Sequence, residues 1–201
     1  SIDIVVSDVM MPEMDGLELT HHIKSDINIS HIPVVLLTAK VNIEAKIEGM
    51  QQGADVYIEK PFSIKYLKMQ IENLLKLRLS FQEMMIKMPF YAKPSTTVSN
   101  RDQEFLAKLK NEIEAHLSDS DFSIDSIAEA MFMSRSNFYR KIKSITGMGP
   151  NDYLKTVRLN RAAELLLQED VRIGDIYIQV GFNSSSYFAK CFRSQFEVSP
   201  K

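Results

Sequence analysis

Three residues whose side chains suit phosphoryl chemistry each follow a short apolar run of the kind that forms buried strands. The pairs are Ile2 to Val6 with Asp8, Val34 to Leu37 with Thr38, and Val56 to Ile58 with Lys60. Because the carboxyl ends of parallel strands meet at one sheet edge, we expect an acid, a hydroxyl and an ammonium to converge there. Asp8 would accept a phosphoryl group, while Lys60 and Thr38 would bind its oxygens. Taken singly, these residues are equally typical of a turn, a cap and a surface charge.

The second chemical feature is a basic segment in a chain whose formal net charge is only -2. Between Met131 and Arg161 the only acid is Asp152, and the bases are Arg135, Arg140, Lys141, Lys143, Lys155, Arg158 and Arg161. Such a segment indicates a polyanionic partner. A solvated helix face explains the charge equally well when the charge is considered alone.

The same region belongs to an internal repeat. Equivalent apolar residues of the two copies are separated by a constant number of residues before the turn and by one residue more after it. The pairs are Ile124 with Ile173, Ile127 with Ile176, Met131 with Val180, Phe138 with Phe188, and Ile142 with Phe192. Each copy reads as a short helix, a tight turn and a second helix with an apolar stripe. This is the helix-turn-helix pattern, present twice.

The outer faces of the two second helices match. At 100° per residue, the side opposite the apolar stripe carries a small polar residue and two bases in each copy. These triples are Ser136, Arg140 and Lys143, and Ser186, Lys190 and Arg193. A helix in the major groove needs small side chains near its N-terminus and Arg or Lys further along for guanine edges and phosphates. Two matching faces therefore predict DNA binding.

The predicted DNA-binding set also includes four neighbouring residues: Asn137, Tyr139, Ser185 and Tyr187. Asn137 would contact adenine, and the tyrosines would pack on sugar or a thymine methyl group or, alternatively, seal the edge of the core. A long apolar helix from about Asn151 to Gln168 would hold the two recognition helices at a fixed separation. Reading two successive turns of the major groove requires such a separation.

The elements that position these residues divide the chain into two halves. In the first half, the three strands alternate with helical patterns over Leu17 to Ser25, Ile43 to Gln52 and Ile64 to Leu79, which predicts an α/β domain with a parallel sheet. The pattern weakens after Ser80, although Met84, Met85 and Met88 would extend a helix, and prolines and polar residues follow. From Arg101 onward the patterns are helical only. We expect domains at 1–79 and 105–201, joined by a linker at 80–104.

The second half resembles the DNA-binding domain of AraC/XylS-type regulators over Phe105 to Lys201. The matching positions are Ile173, Asp175, Ile176, Val180, Gly181, Phe182, Ser184, Ser186, Tyr187, Phe188, Lys190, Phe192, Arg193, Phe196, Ser199 and Pro200. The resemblance implies that both recognition helices bind double-stranded DNA, usually direct repeats in promoters. Two departures stand out: Glu197 replaces the usual Gly, and Phe132 occupies the first turn where Gly181 occupies the second.

The first half resembles the receiver domain of two-component systems, a flavodoxin-like fold, through Asp8-Val-Met-Met-Pro-Glu-Met-Asp-Gly16, Thr38 and Lys60-Pro61-Phe62. The resemblance implies that Asp8 is the phosphoacceptor and that Lys60 is the lysine characteristic of receiver domains. It also implies that Thr38 is the switch hydroxyl residue and Tyr57 the switch aromatic residue. Asp8 and the main-chain carbonyl of Met10 would help to bind Mg²⁺ in an intact receiver. A histidine kinase would supply the phosphoryl group.

The resemblance also indicates which parts of a receiver domain are not in this segment. In receiver domains, the segment that matches this chain is preceded by a first strand, a first helix and a second strand. The acidic pair that binds Mg²⁺ lies in that preceding part. We therefore expect the fragment to bind Mg²⁺ weakly, to accept phosphate poorly and to carry no cofactor. We also expect the open apolar edge of the Ile2 to Val6 strand to be paired with another chain, covered by the linker or poorly ordered.

Composition narrows the remaining alternatives. The chain has no apolar run near the ~18 residues of a membrane span, and its only cysteine, Cys191, excludes an internal disulfide, which fits a cytoplasmic protein. The four histidines have no partner at metal-ligand spacing, so a hydrolase or metalloprotein has little support. A helical protein-interaction module is a stronger rival. The residues Leu79-Ser-Phe-Gln-Glu-Met-Met also suggest a hybrid sensor, whose histidine kinase would lie outside this chain and whose parent would be anchored in the inner membrane. Both the stand-alone regulator and the hybrid sensor are compatible with a homodimer.

Overall fold

The fold is that of a computed structural model, which describes residues 2–39, 52–87, 98–167 and 173–200. For Ile173 the description covers the backbone only. The helix predicted over Ile43 to Gln52 therefore falls, except for its last residue, outside the described ranges. The same holds for residues 88–97, which include Met88 and the middle of the predicted linker.

The three predicted strands form one parallel sheet in the order β1-β2-β3. The strands are β1 Val5–Asp8, β2 Val34–Ala39 and β3 Val56–Lys60. Asp8 pairs with Leu37, and Ala39 pairs with Lys60, so the carboxyl ends of the strands lie at one edge. Each strand ends later than the apolar pattern indicated, because the polar residues at this edge continue the ladder.

Both faces of the sheet are covered, as expected for strands with nearly continuous apolar sequence. Helix α1 (Gly16–Ser25) contributes Ile23 to a cluster with Ile32, Val34 and Leu36. Helix α2 (Ile64–Lys87) contributes Leu74 to a cluster on the other face. Its partners there are Val35 and Ile58. Successive residues of β2 thus point to opposite faces, which is the two-residue period of a strand.

A buried ion pair secures the start of β2. The Lys24 ammonium lies 2.7 Å from the Asp55 carboxylate, and both side chains are about nine-tenths buried. Asp55 also accepts a hydrogen bond from the Val34 backbone N–H at 2.7 Å, and Lys24 donates to the Ile32 carbonyl at 3.0 Å. These hydrogen bonds satisfy charges that would otherwise be costly to bury.

One outer strand of the described sheet is β1. This strand pairs with β2, and no second strand partner for it occurs in the part of the chain that the structure describes. Val6 is 39% exposed. The expectation that another chain or segment covers this edge stays a prediction.

The helical half contains six helices in the described residues. They are α3 Asn100–Ala115, α4 Ile124–Ala130, α5 Arg135–Thr146, α6 Pro150–Leu166, α7 Ile173–Gln179 and α8 Ser185–Phe196. Helices α4 and α5 form the first helix-turn-helix unit, and α7 and α8 form the second. Helix α6 is the predicted connector, and its Leu159 and Ala162 pack in one cluster with Ile176, Phe188 and Phe192.

The chain folds as two compact units. The sheet unit contains the residues up to Gln82 and also Val98 to Phe105; the helical unit contains Glu83 to Lys87 and the residues from Leu106 onward. Helix α2 therefore ends in the helical unit, whereas α3 begins in the sheet unit. Within the sheet unit, buried Asp102 of α3 accepts a hydrogen bond from the fully buried Ser30 hydroxyl at 2.7 Å.

Candidate phosphoacceptor site and nucleic-acid interface

Asp8 is the last residue of β1, at the sheet edge that carries Lys60. Gly16 fixes the loop beyond it, because a Cβ at this position would clash with the Asp8 carbonyl oxygen. The Gly16 N–H donates to the Val9 carbonyl at 2.8 Å, and the Met10 N–H donates to Asp8 Oδ1 at 3.3 Å. The loop thus presents the Asp8 side chain to solvent with about two-fifths of its surface exposed.

Lys60 is brought to Asp8, as the sequence predicts. Its ammonium donates directly to Asp8 Oδ2 across 52 residues of chain. This hydrogen bond is the main reason that the pKa of Asp8 lies below its ordinary value of 3.8, with the Met10 N–H helping and desolvation opposing. Asp8 is consequently held as a carboxylate, the form that can act as a nucleophile toward phosphorus, and a cation lies beside it.

Thr38 and Tyr57 lie on the neighbouring strands β2 and β3. Thr38 is buried, next to Ala39 that pairs with Lys60, and its hydroxyl donates to the Ala39 carbonyl at 2.8 Å. In this structure the hydroxyl does not bind Asp8 or Lys60. Tyr57 is partly buried and packs against the cluster of Val34 and Leu36, three residues before Lys60.

The side chains at this edge do not make a complete magnesium site. Mg²⁺ prefers six oxygen ligands in octahedral geometry. Asp8 is a single carboxylate, held by Lys60, and no cluster of three His, Cys, Asp or Glu side chains occurs in the described residues. Met10 would offer a main-chain carbonyl. These donors alone do not fit a tightly held ion.

In the helical unit, the two turns are built from the same hydrogen bonds. The Phe132 N–H donates to the Glu129 carbonyl at 2.9 Å, and the equivalent Gly181 N–H donates to the Ile178 carbonyl at 3.0 Å. The next residues repeat the match, with Met133 donating to Ala128 and Phe182 donating to Tyr177. Phe132 and Gly181 both adopt left-handed backbone, with φ of 55° and 75°. The repeat predicted from apolar spacing is therefore present in the backbone too.

Each recognition helix begins with the same cap. Ser134 accepts from the Asn137 N–H, and Ser184 accepts from the Tyr187 N–H, both at 3.3 Å. Asn183 is the extra residue between turn and cap, and it accounts for the change of offset. The stripe residues Phe138, Ile142, Phe188 and Phe192 are all buried.

The predicted reading faces are exposed. Ser136, Tyr139, Arg140 and Lys143 on α5 are exposed, and so are Ser185, Ser186, Tyr187, Lys190 and Arg193 on α8. Asn137 is half-buried and accepts a hydrogen bond from Arg140 at 2.5 Å. A hydrogen bond with the Cys191 thiol raises the pKa of the Tyr187 hydroxyl. Tyr139 and Tyr187 are each about half exposed, so neither is a core residue.

One basic residue counted in the charged segment is not on the surface. Lys141 is fully buried, between the core residues Phe138 and Ile142 on α5. The sequence count therefore overstated the exposed charge of this helix by one. Sequence reasoning also did not single out Arg135, Lys155 and Arg158, which line a cleft of the helical unit, although all three belong to the basic segment.

Comparison with known proteins agrees with this geometry. Residues 1–72 match the family described as response regulator receiver domain, and residues 127–201 match the helix-turn-helix domain family. The chain joins a response regulator receiver domain to an AraC-type helix-turn-helix domain. Neither domain type is catalytic.

Individual proteins are similar to all or part of this chain. Histidine kinase P4 of Formosa agariphila is 38% identical over 197 residues, 98% of this chain and 14% of that protein. Regulatory protein PocR of Salmonella typhimurium is 32% identical over 142 residues, 69% of this chain and 46% of that protein. The chain thus spans less than half the length of either relative. Among solved structures, the C-terminal domain of AraT, a response regulator from Geobacillus stearothermophilus, is 33% identical with a TM-score of 0.44, covering 47% of this chain and 78% of that one.

The receiver and AraC-type domains contain no membrane-crossing element in their described ranges, since no helix there has both the length and the apolar character required. Receiver domains generally bind Mg²⁺ and interact with a histidine kinase, and AraC-type domains bind DNA.

Proposed function

We propose that this chain is the output segment of a two-component phosphorelay, in which sequence-specific DNA binding is controlled by phosphorylation of Asp8. The observation that carries the proposal is the pair of matching exposed faces on two equivalent recognition helices. A single basic helix face is common on solvated proteins. Two faces with the same order of small polar, basic and basic residues are what a protein needs to read two segments of duplex.

On DNA, the small residues Ser136 and Ser186 would allow close approach of each helix to the bases. Arg140 and Lys190 lie one turn further along and would contact guanine edges, while Lys143 and Arg193 would reach guanine or phosphate. Asn137, Tyr139, Ser185 and Tyr187 complete the proposed contact set. The connector α6 keeps the two helices apart, which favours promoter direct repeats over a single short site. Homodimer formation would extend the site further.

In the receiver, Asp8 would be the phosphoacceptor, and Lys60 would move from the carboxylate to the new phosphoryl oxygens. Thr38 and Tyr57 would respond to the modification as switch residues. The Mg²⁺ site of an intact receiver would use Asp8 and the Met10 carbonyl with further acids. Since the described residues offer a single carboxylate there, we expect poor modification by acetyl phosphate. Stoichiometric, Mg²⁺-dependent labelling of Asp8, seen by intact mass, would overturn that expectation.

The DNA-binding proposal is tested by Arg140→Ala and Lys190→Ala. Each change should weaken specific binding by about 1 to 3 kcal/mol, or roughly 5-fold to 150-fold, because each removes one base contact. Fluorescence anisotropy with a duplex selected from a random pool by the full chain measures the effect. Lys68→Ala, which removes an exposed base from α2, is the control and should bind as the wild type does. Unchanged affinity in both α5 and α8 variants would show that the faces are wrongly assigned.

The parent protein has two candidate architectures. A stand-alone regulator would carry a complete receiver, a linker near 80–104 and the DNA-binding domain from about 105. The likeness to Histidine kinase P4 along almost the whole chain favours a hybrid in which a kinase precedes this segment and this segment itself is not catalytic. Either protein would place both domains in the cytoplasm, where the DNA is. The sequence upstream of Ser1 separates them, since a kinase ATP-binding region would occur only in the hybrid.

A further inference from the structure

A cleft of about 610 Å³ lies in the helical unit, between the two helix-turn-helix units. Its walls come from the start of α4, the first residue of α5, the first half of α6 and the turn before α8. Because Arg135 begins α5 and Tyr187 lies in the first turn of α8, this cleft adjoins the N-terminal ends of both recognition helices. None of its lining residues except Tyr187 belongs to the reading faces.

The cleft is cationic. Arg135, Lys155 and Arg158 line it, against one acidic lining residue, Asp125. Hydrogen bonding to Asp152 raises the pKa of Lys155, so this side chain is charged under ordinary conditions. Neutral hydrogen-bonding side chains, including Asn151 and Asn183, fill much of the remaining wall.

The ion pairs of Arg135 and Lys155 leave both side chains able to bind an incoming anion. Arg135 lies 3.2 Å from Asp125, and Lys155 lies 2.8 Å from Asp152, but all four side chains are between 39% and 72% exposed. Exposed pairs contribute only about 0 to 1 kcal/mol, so an incoming anion can replace them.

Arg158 has unused hydrogen-bonding capacity at the cleft wall. Its Nη2 donates to the Asp119 carbonyl at 2.6 Å. Its Nε is buried and has no hydrogen-bond partner among the described residues. An orphaned N–H in a cationic cleft is most simply satisfied by an acceptor that enters from outside.

We propose that this cleft binds a phosphodiester of the DNA backbone between the two segments read by α5 and α8, with Lys155 as the principal charge. The inference rests on the proposed DNA-binding function. Duplex that engages both recognition helices must pass between them, and the cleft has the charge and donors for one phosphate. Such a contact fixes the position of the protein on the duplex and carries no base preference.

The test compares Lys155→Gln with Arg161→Gln. Both residues lie on α6, both are about two-fifths exposed, and both pair with an acid three residues away, but Arg161 does not line the cleft. Binding to a duplex selected from a random pool by the wild-type chain is measured over a range of salt. Lys155→Gln should reduce the slope of log K against log salt by about one and weaken specific and random duplex by the same factor. Arg161→Gln should leave the slope unchanged.

A backbone scan locates the contact. Single methylphosphonate linkages, which remove one charge each, are placed at successive positions of the selected duplex. One position between the read segments should weaken the wild-type chain and have no further effect on Lys155→Gln. Equal slopes for Lys155→Gln and the wild type, or equal losses in both α6 variants, would overturn the cleft proposal alone. If the wild-type chain enriches no duplex, the proposed function fails, and the cleft proposal fails with it.

Discussion

Four residues with left-handed backbone occupy equivalent positions in the two helix-turn-helix units. Phe132 and Gly181 lie in the turns, and Gly147 and Glu197 end the recognition helices, with φ between 55° and 75°. Each unit thus has one glycine and one residue with a side chain. The left-handed region costs a residue with a Cβ about 1 to 2 kcal/mol. Lys108 lies 4.6 Å from the Phe132 ring centroid and offsets part of that cost at one of the two sites.

Gly181 is the position at which a side chain is least tolerable. A Cβ there would lie 2.5 Å from the Leu117 carbonyl oxygen and 2.9 Å from Arg158. We expect Gly181→Ala to lower the free energy of unfolding by more than about 2 kcal/mol, because strain and a backbone clash add. Urea denaturation measures this. The control is Gly174→Ala in α7, where nothing lies within 4 Å and a gain of up to about 1 kcal/mol is expected. Similar small effects at both glycines would contradict the turn geometry.

The Asp8–Lys60 pair has a defined pH dependence. The pKa of Asp8 is lowered in the folded chain, chiefly by the Lys60 hydrogen bond. The pair therefore contributes stability that is fully present above the ordinary value of 3.8 and is lost as the pH falls through the lowered folded pKa. Lys60→Met should return the Asp8 titration toward 3.8, as followed by carboxyl NMR signals. Lys65→Met, on the exposed start of α2, should not. An unchanged titration in Lys60→Met would mean that the pair does not persist in solution.

At the scale of elements, the apolar patterns located the strands and helices because burial sets those periods directly. The periodic pattern predicts α2 to Leu79 with a helical extension around Met84 and Met85, and the structure has one helix whose buried stripe continues through Phe81 and Met85. No proline lies between Leu79 and Lys87, so the sequence contains no signal that would end the helix at Leu79. The turn at Phe132 was recognisable only because Gly181 occupies the equivalent position.

The start of α3 shows what the patterns could not reveal. Asp102 is 2% exposed, and its partner Ser30 is 72 residues away in sequence. Its charge also raises the pKa of Arg78, against a larger lowering by burial. A lone Asp in the first turn of a helix is usually a solvated residue that favours the helix dipole. Only the long-range contact distinguishes a buried anchor from that ordinary role.

Asp102→Ala should therefore destabilise the sheet unit. The loss is expected to be about 1.5 to 3 kcal/mol, because a buried hydrogen bond to a charged group disappears. Hydrogen exchange of the amides between Val98 and Phe105 provides the local measurement, and it should accelerate. Glu104→Ala removes an exposed acid from the next turn and should leave exchange unchanged. Equal protection in both variants would mean that Asp102 does not hold this segment.

At the scale of the whole molecule, the alternation of strands and helices in one half and the absence of strand patterns in the other predicted two units. The sequence did not predict which residues at the ends of α2 and α3 belong to each unit, because this depends on where those ends pack. Glu83 to Lys87 group with the helical unit, and Val98 to Phe105 group with the sheet unit. Hydrophobic period reports which face of a helix is buried, but it does not report against which partner.

Adjacent methionines test this assignment. Met85 is 1% exposed and belongs to the helical unit, whereas Met84 is 36% exposed. We expect Met85→Ala to cost about 2 to 4 kcal/mol in the stability of the helical unit, since it leaves a cavity. Met84→Ala should cost less than about 1 kcal/mol. Denaturation followed by hydrogen exchange in α7 and α8 identifies the affected unit. A loss confined to the sheet strands would contradict the assignment.

The two reading faces differ in the order of their Arg and Lys residues, and this difference would make the two halves of the proposed DNA site distinguishable. In α5 the order is Ser136, Arg140, Lys143, and in α8 it is Ser186, Lys190, Arg193, so the guanidinium and the ammonium exchange places. Arg makes planar, bidentate contacts with guanine, whereas Lys acts as a point charge. In the proposed DNA site, the two half-sites would consequently be similar and not identical. A single molecule would distinguish the upstream half from the downstream half and would bind a promoter in one orientation, without help from a second copy.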